Sequence, residues 1–313
     1  MYYSIQHITA FRYSEPISES VMEVRMQPRS EGAQRCLSFQ FRISPKAGLT
    51  SYRDYLGNSI HHFDIPGRHQ KLAIVADSIV EVRPGLVVPE RLPDDAWQQL
   101  DGEARTSETL DYLLASALAA PTDLLYDLAG DLDIRRRDDP LTVLRAITEA
   151  MYHTFEYAPD ATEVDSPIDV ALRTRQGVCQ DYSHIMIALI RQLGIPARYV
   201  SGYLYHRTGN SADRSARDAT HAWVEAWLPQ LGWVGFDPTN NLICGERHIR
   251  VAVGRDYADV PPTRGVFKGS ADTELTVAVK VAQTDDLPIL DDIQPETYTS
   301  GAMTSSQEQS QQQ

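Results

Sequence analysis

Cysteine is scarce. The 313 residues contain three, Cys36, Cys179 and Cys244, and no two of them form a CxxC pair. An odd, widely spaced set does not make a disulfide framework, and thiols without close partners do not make a structural zinc site. Both absences fit a reducing compartment, so a cytosolic chain with no metal and no cofactor is the expectation. No apolar run approaches the roughly 18 residues that a membrane span requires. The opening MYYSIQHITAFRYSEP has neither the basic start nor the apolar stretch of an export signal. Long basic runs are missing too. Lys and Arg number 29 against 43 Asp and Glu, a formal net charge of −14, which argues against nucleic acid and anionic membranes as partners. No internal repeat is visible.

What remains is a soluble, globular composition, 42% hydrophobic and 23% charged, with length for about two domains. The first 85 residues read as β. CLSFQFRIS and KLAIVADSIVEVR alternate apolar and polar positions or are β-branched, and 54–59 (DYLGNS) and 65–68 (IPGR) supply turn residues between them. This predicts an N-terminal sandwich-like or barrel-like β domain. Residues 86–150 form a helical region. SETLDYLLASAL, from Ser107, and PLTVLRAITEAMYHTF, with Pro140 at a first helical position, carry helical spacing. The acidic stretch 131–139 reads as a solvated loop. Residues 151–290 form an α+β core that closes on a late strand, ELTVAVKVAQ. The polar, low-complexity tail 291–313 reads as disordered.

QGVCQDYSHIMIALIRQLGIPARYV holds the first chemical candidate. After Cys179 the apolar positions are Tyr182, Ile185, Met186, Leu189, Ile190 and Leu193, spaced three, one, three, one and three, which is one stripe on a helix. Gly194 and Pro196 end it. Cys179 lies three before Tyr182, at the helix N-terminus and on the buried side. Free cysteine often packs as a small apolar residue, and that reading is open. The other is a nucleophile. A helix start carries about half a positive charge and unpaired N–H groups, which favour a thiolate and can hold an oxyanion. Gly177 leaves room for a substrate. Asp181 suits the helix start and is expected to point away from the sulfur.

A thiol nucleophile needs a base, and the base needs an orienting group. In HAWVEAWL, Ala222, Val224, Ala226 and Leu228 share the core face, leaving His221, Trp223, Glu225 and Trp227 on the other. Pro229–Gly232 reads as a turn and WVGFDPT as the returning strand. A hairpin places Asp237 opposite or diagonal to His221, where it can accept from one ring nitrogen and aim the other at Cys179. A lone strand histidine is usually structural and Asp-Pro is a common strand end. The three together, in the order Cys–His–Asp, favour the catalytic reading.

These residues resemble the transglutaminase-like superfamily, relatives of the papain-type cysteine proteases. The resemblance rests on GVCQDYSHIMIALIRQLGIPARYVSGY and THAWVEAWLPQLGWVGFDPTNN. It is closest to a bacterial branch with an N-terminal β domain, matched by MYYSIQHITAFRYSEPISESVMEVRMQPR and by HIRVAVGRDYADVPPTRGVFKG. It implies a papain-like core, with a cysteine helix packed on an antiparallel sheet, and a triad of Cys179 as nucleophile, His221 as base and Asp237 as orienter. Tyr157, in FEYAPDAT, is the residue it suggests for oxyanion or substrate binding, with packing as the alternative. No calcium pattern is visible.

Several other residues draw attention. His61 and His62 are adjacent and flank a predicted strand; neighbouring strand side chains point to opposite faces, so they make a poor chelating pair. Cys36 and Cys244 read as packing or surface thiols. Trp223 and Trp227 either wall the substrate cleft or pack. Glu225 is open to pairing with an arginine, and Arg198 is either that partner or purely structural. The function expected is cleavage or transfer at a peptide, amide or Gln carboxamide bond through a thioester, with hydrolysis favoured because nothing marks an amine site. The partner is then a peptide or protein amide. The alternative is a peptide-binding module that has the fold without turnover.

Overall fold

The computed structural model describes residues 1–85, 87–106, 108–207 and 213–285. Ser107 and the tail 291–313, for which a helix start and disorder are expected, lie outside them.

The chain opens with β1 (Tyr2–Ile17), β2 (Glu19–Val24), β3 (Gln34–Ser44), β4 (Leu49–Arg53), β5 (Ser59–Ile65) and β6 (His69–Val82). The alternation seen in the sequence is the alternation of burial. Leu72, Ile74, Ala76, Val80 and Val82 of β6 point inward, while Lys71, Ala73, Val75, Asp77 and Glu81 are more exposed. The expected turns lie between β4 and β5 and between β5 and β6. Asp54 Oδ1 accepts from the N–H groups of Leu56 and Asn58 at 3.0 and 2.8 Å, the local bonding that makes Asp a turn former.

Helices follow. They are α1 (Ala96–Glu103), α2 (Asp123–Asp131), α3 (Pro140–Thr154), then β7 (Glu156–Tyr157), α4 (Ile168–Thr174), β8 (Gln176–Gly177) and α5 (Cys179–Gln192). Pro140 opens α3 as expected, and Asp139 caps it by accepting from the N–H groups of Leu141 and Thr142. SETLDYLLASAL is not a helix. Among its described residues, only a short 3-10 turn, Leu110–Tyr112, forms there. Tertiary bonds claim the backbone instead: Arg191 Nε donates to the Tyr112 carbonyl at 2.9 Å, and the Leu118 N–H donates to Asp256 Oδ2 at 2.9 Å.

The remaining strands are β9 (Ala197–Leu204), β10 (His221–Leu228), β11 (Gly232–Asp237), β12 (Leu242–Ile243), β13 (His248–Gly254), β14 (Thr263–Lys268) and β15 (Thr273–Gln283). The core sheet is antiparallel in the order β12-β11-β10-β9-β13, and α5 lies across β9 and β10. Its six stripe residues are all buried, but so are Ser183, His184, Ile187 and Ala188. The helix is central rather than amphipathic, because α2, α3 and α4 cover the side away from the sheet.

The N-terminal domain is a sandwich of two four-stranded sheets, β15-β1-β6-β3 and β14-β2-β5-β4. Two of its four edge strands, β14 and β15, come from the far end of the chain. The late strand expected with the core is β15, and it pairs with β1 over Tyr3–Tyr13. Past the sandwich core, the inner face of that sheet continues onto the back of the core sheet. Tyr3, Ile5, Val80 and Val82 pack with Tyr203, Ile249 and Val251, and His7 Nδ1 lies 2.9 Å from the Tyr203 hydroxyl. Among the described residues, no helix is long and apolar enough to cross a membrane.

Candidate active site

Cys179 is the first residue of α5. Val178 precedes it in extended conformation, and its N–H donates to Asp181 Oδ2 at 2.8 Å. Thr162 Oγ1 donates to the same oxygen at 2.6 Å, and Gln180 Nε2 donates to the Val164 carbonyl at 2.6 Å. These bonds hold the loop 158–166 over the helix start and occupy the Asp181 carboxylate. Burial raises the Asp181 pKa against the pull of those donors. Gly177 serves this arrangement rather than a substrate, since a Cβ there would lie 2.8 Å from Asp181 Oδ2.

The hairpin of β10 and β11 forms as expected. Val224 pairs with Phe236 and Leu228 with Gly232, which sets Asp237 diagonal to His221. His221 Nε2 lies 2.8 Å from Asp237 Oδ2, and Asp237 is fully buried. Burial alone lowers the His221 pKa, but the Asp237 carboxylate and the Cys179 thiol together raise it well above an ordinary histidine. The same pairing holds the Asp237 carboxyl far below the usual range in spite of its burial. His221 Nδ1 is buried without a hydrogen-bond partner. Cys179 is near enough to add to the rise in the His221 pKa, and with Nε2 taken by Asp237, Nδ1 is the ring nitrogen not yet engaged.

Tyr157 also reaches the site. β7 and β8 pair in parallel, Tyr157 with Gly177, two residues before the cysteine. The Tyr157 hydroxyl accepts from the Ala216 N–H at 3.3 Å, and its pKa is raised by burial and then by the nearby Cys179. An open cleft of about 660 Å³ lies along this side, lined by His153, Glu156, Tyr157, Arg175 and Arg214 among others.

Trp223 does not reach the cleft. It is 1% exposed and packs behind the histidines, 6.1 Å from His221 and 5.2 Å from His248 between ring centres. Trp227 packs edge-on against Trp233 and donates to Glu103. Glu225 forms the expected buried pair with Arg198 at 2.6 Å, joined by Arg250 at 3.0 Å. His61 stacks on Phe41. Burial pushes the Cys36 thiol up to about 11 and the Cys244 thiol well above its ordinary value, which keeps both protonated.

Three site residues carried no signal readable from local pattern. Tyr199 of β9 is buried within electrostatic reach of Cys179. Asn240 donates through Nδ2 to Asp237 Oδ2 at 2.8 Å and to Ser215 Oγ at 3.1 Å, tying the orienting carboxylate to the 213–216 loop. His248 of β13 lies 3.2 Å from the same Asp237 oxygen. His221, Asp237 and His248 present ligand-type atoms within 4.8 Å of one another. Hydrogen bonds already account for that convergence, and a cation there would break the dyad.

Gly202 of β9 faces His221 across the ladder. A Cβ there would meet the Ile249 carbonyl oxygen at 2.2 Å and the Trp223 ring at 2.6 Å. Backbone cannot yield as a side chain does, so Gly202→Ala is expected to destabilise the fold by roughly 2–3 kcal/mol. Equilibrium denaturation in urea measures this, and an unchanged midpoint would contradict it.

Two family patterns match the chain. That of the transglutaminase-like superfamily core covers residues 129–238, and that of the bacterial transglutaminase-like N-terminal region covers residues 3–81. An uncharacterised protein of Mycobacterium tuberculosis is 36% identical over 296 residues, covering 89% of this chain and 92% of its own. A Pseudomonas aeruginosa protein named protein-glutamine gamma-glutamyltransferase is 39% identical over 106 residues, covering 32% of this chain and 16% of its own. A crystal structure of a candidate cysteine protease from Cytophaga hutchinsonii superposes with a TM-score of 0.71 at 20% identity, covering 92% of this chain and 93% of that one, a likeness of fold. With the two patterns in chain order and a relative matched along nearly its whole length, the chain belongs to the transglutaminase-like superfamily.

Proposed function

We propose that the protein is a cysteine-nucleophile enzyme acting on peptide or amide carbonyls, with hydrolysis as its main outcome. The observation that carries this reading is His221, whose Nε2 is held by buried Asp237 while its unpartnered Nδ1 is left for Cys179 at a helix start. His61 Nδ1 is buried without a partner too, but it stacks on Phe41 with no thiol or carboxylate beside it, whereas His221 lies between Asp237 and Cys179.

The steps follow from these positions. With the Cys179 proton on His221 Nδ1, the Sγ thiolate attacks the carbonyl carbon, and the carbonyl electron pair moves onto oxygen. First-turn N–H groups of α5 have no intrahelical acceptor and can donate to that oxyanion. The Tyr157 hydroxyl, free to donate while it accepts from Ala216, is the side chain proposed to assist. The imidazolium of His221 gives its proton to the leaving nitrogen as the C–N bond breaks, leaving a thioester on Cys179. Water then attacks the thioester, His221 takes its proton, and the C–S bond breaks to release the acid. An amine entering in place of water would give transfer instead. Among the described residues the cleft carries both signs of charge, Glu156 beside Arg175 and Arg214, and nothing in it singles out an amine, which favours water.

Trapping the acyl-enzyme tests this reading. The full-length protein is incubated with a cell-derived peptide mixture, quenched in acid, digested and analysed by mass spectrometry. The expected result is a thioester adduct on the Cys179 peptide that is absent from His221→Ala. Adding a primary amine at millimolar concentration should leave hydrolysed acid as the main product. A folded protein that forms no adduct and still retains peptides reversibly would support a binding module instead.

A further inference from the structure

Asp237 serves two histidines. Its Oδ2 accepts from His221 Nε2 at 2.8 Å, from Asn240 Nδ2 at 2.8 Å and from His248 Nε2 at 3.2 Å. Its Oδ1 accepts the N–H groups of Thr239 and Asn240 at 3.1 and 3.2 Å. The carboxylate is thus fixed on both oxygens, and His248 adds a third donor to the one that faces the base.

The other nitrogen of His248 fixes its tautomer. Nδ1 accepts from the Gly245 N–H at 3.3 Å, so the ring hydrogen lies on Nε2 and points at Asp237. The ring is buried, 6.2 Å from that of His221 and edge-on to Trp223. The charged groups facing it are Asp237 from β11, His221 from β10 and Arg247 beside it in the chain. Burial lowers the pKa of His248 more than Asp237 raises it, whereas His221 on the same oxygen is raised. Two titratable groups driven apart by their surroundings mark a division of roles. One ring carries the mobile proton and the other stays a neutral donor.

We propose that His248 is a positioning residue of the dyad, whose Nε2–H pins Asp237 against His221 and shares the carboxylate's charge so that His221 can release its proton. This rests on the functional reading above. Without that donor, the Asp237 charge falls more fully on His221. The imidazolium is then held more tightly, and proton delivery to a leaving amine slows. His248 touches neither Cys179 nor the cleft, so it acts only through Asp237.

The test reads the dyad without a substrate. The rate of Cys179 alkylation by iodoacetamide is followed against pH, by peptide mass spectrometry, in the full-length wild type, His221→Ala, His248→Leu and His248→Gln, with a thermal midpoint for each. The inflection that His221→Ala removes is the signature of His221. His248→Leu is expected to move that inflection up by roughly one pH unit. His248→Gln, whose amide nitrogen can still donate to Asp237, should keep it within a few tenths of a unit. If His248→Leu does not fold, His248→Asn, whose amide stops short of Asp237, takes its place. A folded Leu or Asn variant with the wild-type inflection overturns the proposal even if its midpoint has fallen, because a purely structural role would do just that. If His221→Ala leaves the wild-type profile unchanged, the functional reading itself fails, and the two failures are distinct.

Discussion

Cys179→Ala is expected to remove turnover, by a factor on the order of 10⁴ to 10⁶, while leaving the fold almost untouched. The size follows from what the thiol does. Without it no thioester can form, and only binding and oxyanion stabilisation remain; nucleophile deletions in acyl-transfer enzymes cost about this much. The small structural effect follows from the surroundings of the residue. Cys179 is half-buried at the edge of the core, and it opens a helix whose other members are held by β9, β10, α2, α3 and α4. Loss of one sulfur there should cost less than about 1 kcal/mol. Activity on whichever amide the trapping experiment identifies, measured beside the thermal midpoint, decides the matter. A large drop in midpoint would return Cys179 to the role of a packing residue, and so would retained turnover.

That contrast was already posed by the sequence, which left the packing and nucleophile readings open until the strands were considered. The placement of Cys179, His221 and Asp237 was legible because each sits on an element with a strong local pattern. The Ala222–Leu228 face, the Pro229–Gly232 turn and the diagonal placement of Asp237 all follow from period-two alternation and a short loop. What stayed hidden depends on pairing between distant segments. His248 reaches Asp237 only because β13 adds to β9, beyond the hairpin. β15 looks like any other alternating strand until it is seen to close the sheet of β1, some 270 residues earlier in the chain. SETLDYLLASAL has helical spacing, yet Arg191 and Asp256 draw its backbone into another shape. Trp223 shares a strand face with His221, but Val200, Val253 and Cys244 pack around it and His248 meets it edge-on, so the ring supports the histidines from behind. Local periodicity reports which side of an element is buried; it does not report what comes to bury it.

The second large effect is expected at Asp237. Asp237→Asn keeps the shape but removes the charge, and its amide can accept on only one side while His221, His248 and Asn240 all donate. Turnover is expected to fall by about 10⁴, the scale seen when an orienting carboxylate of this kind becomes an amide. Stability should fall by roughly 3–5 kcal/mol, since buried donors lose their acceptor. The pH dependence has a definite sign. The folded-state pKa of Asp237 is depressed, so its contribution is present above the ordinary carboxylate pKa and disappears as pH falls through the depressed one. The folded-state pKa of His221 is raised, to about 10, so its contribution is complete below the ordinary value near 6.5 and is lost as pH rises toward 10. These are two views of one interaction and are not to be added. The wild type is therefore expected to exceed Asp237→Asn in stability most between about pH 4 and pH 6.5, with the gap narrowing steadily up to pH 10. Urea denaturation of both proteins across that range measures the gap. A gap that stays constant, or widens toward alkaline pH, would mean that His221 is not held as an imidazolium by Asp237, and the proton needed by the leaving amine would have to come from elsewhere.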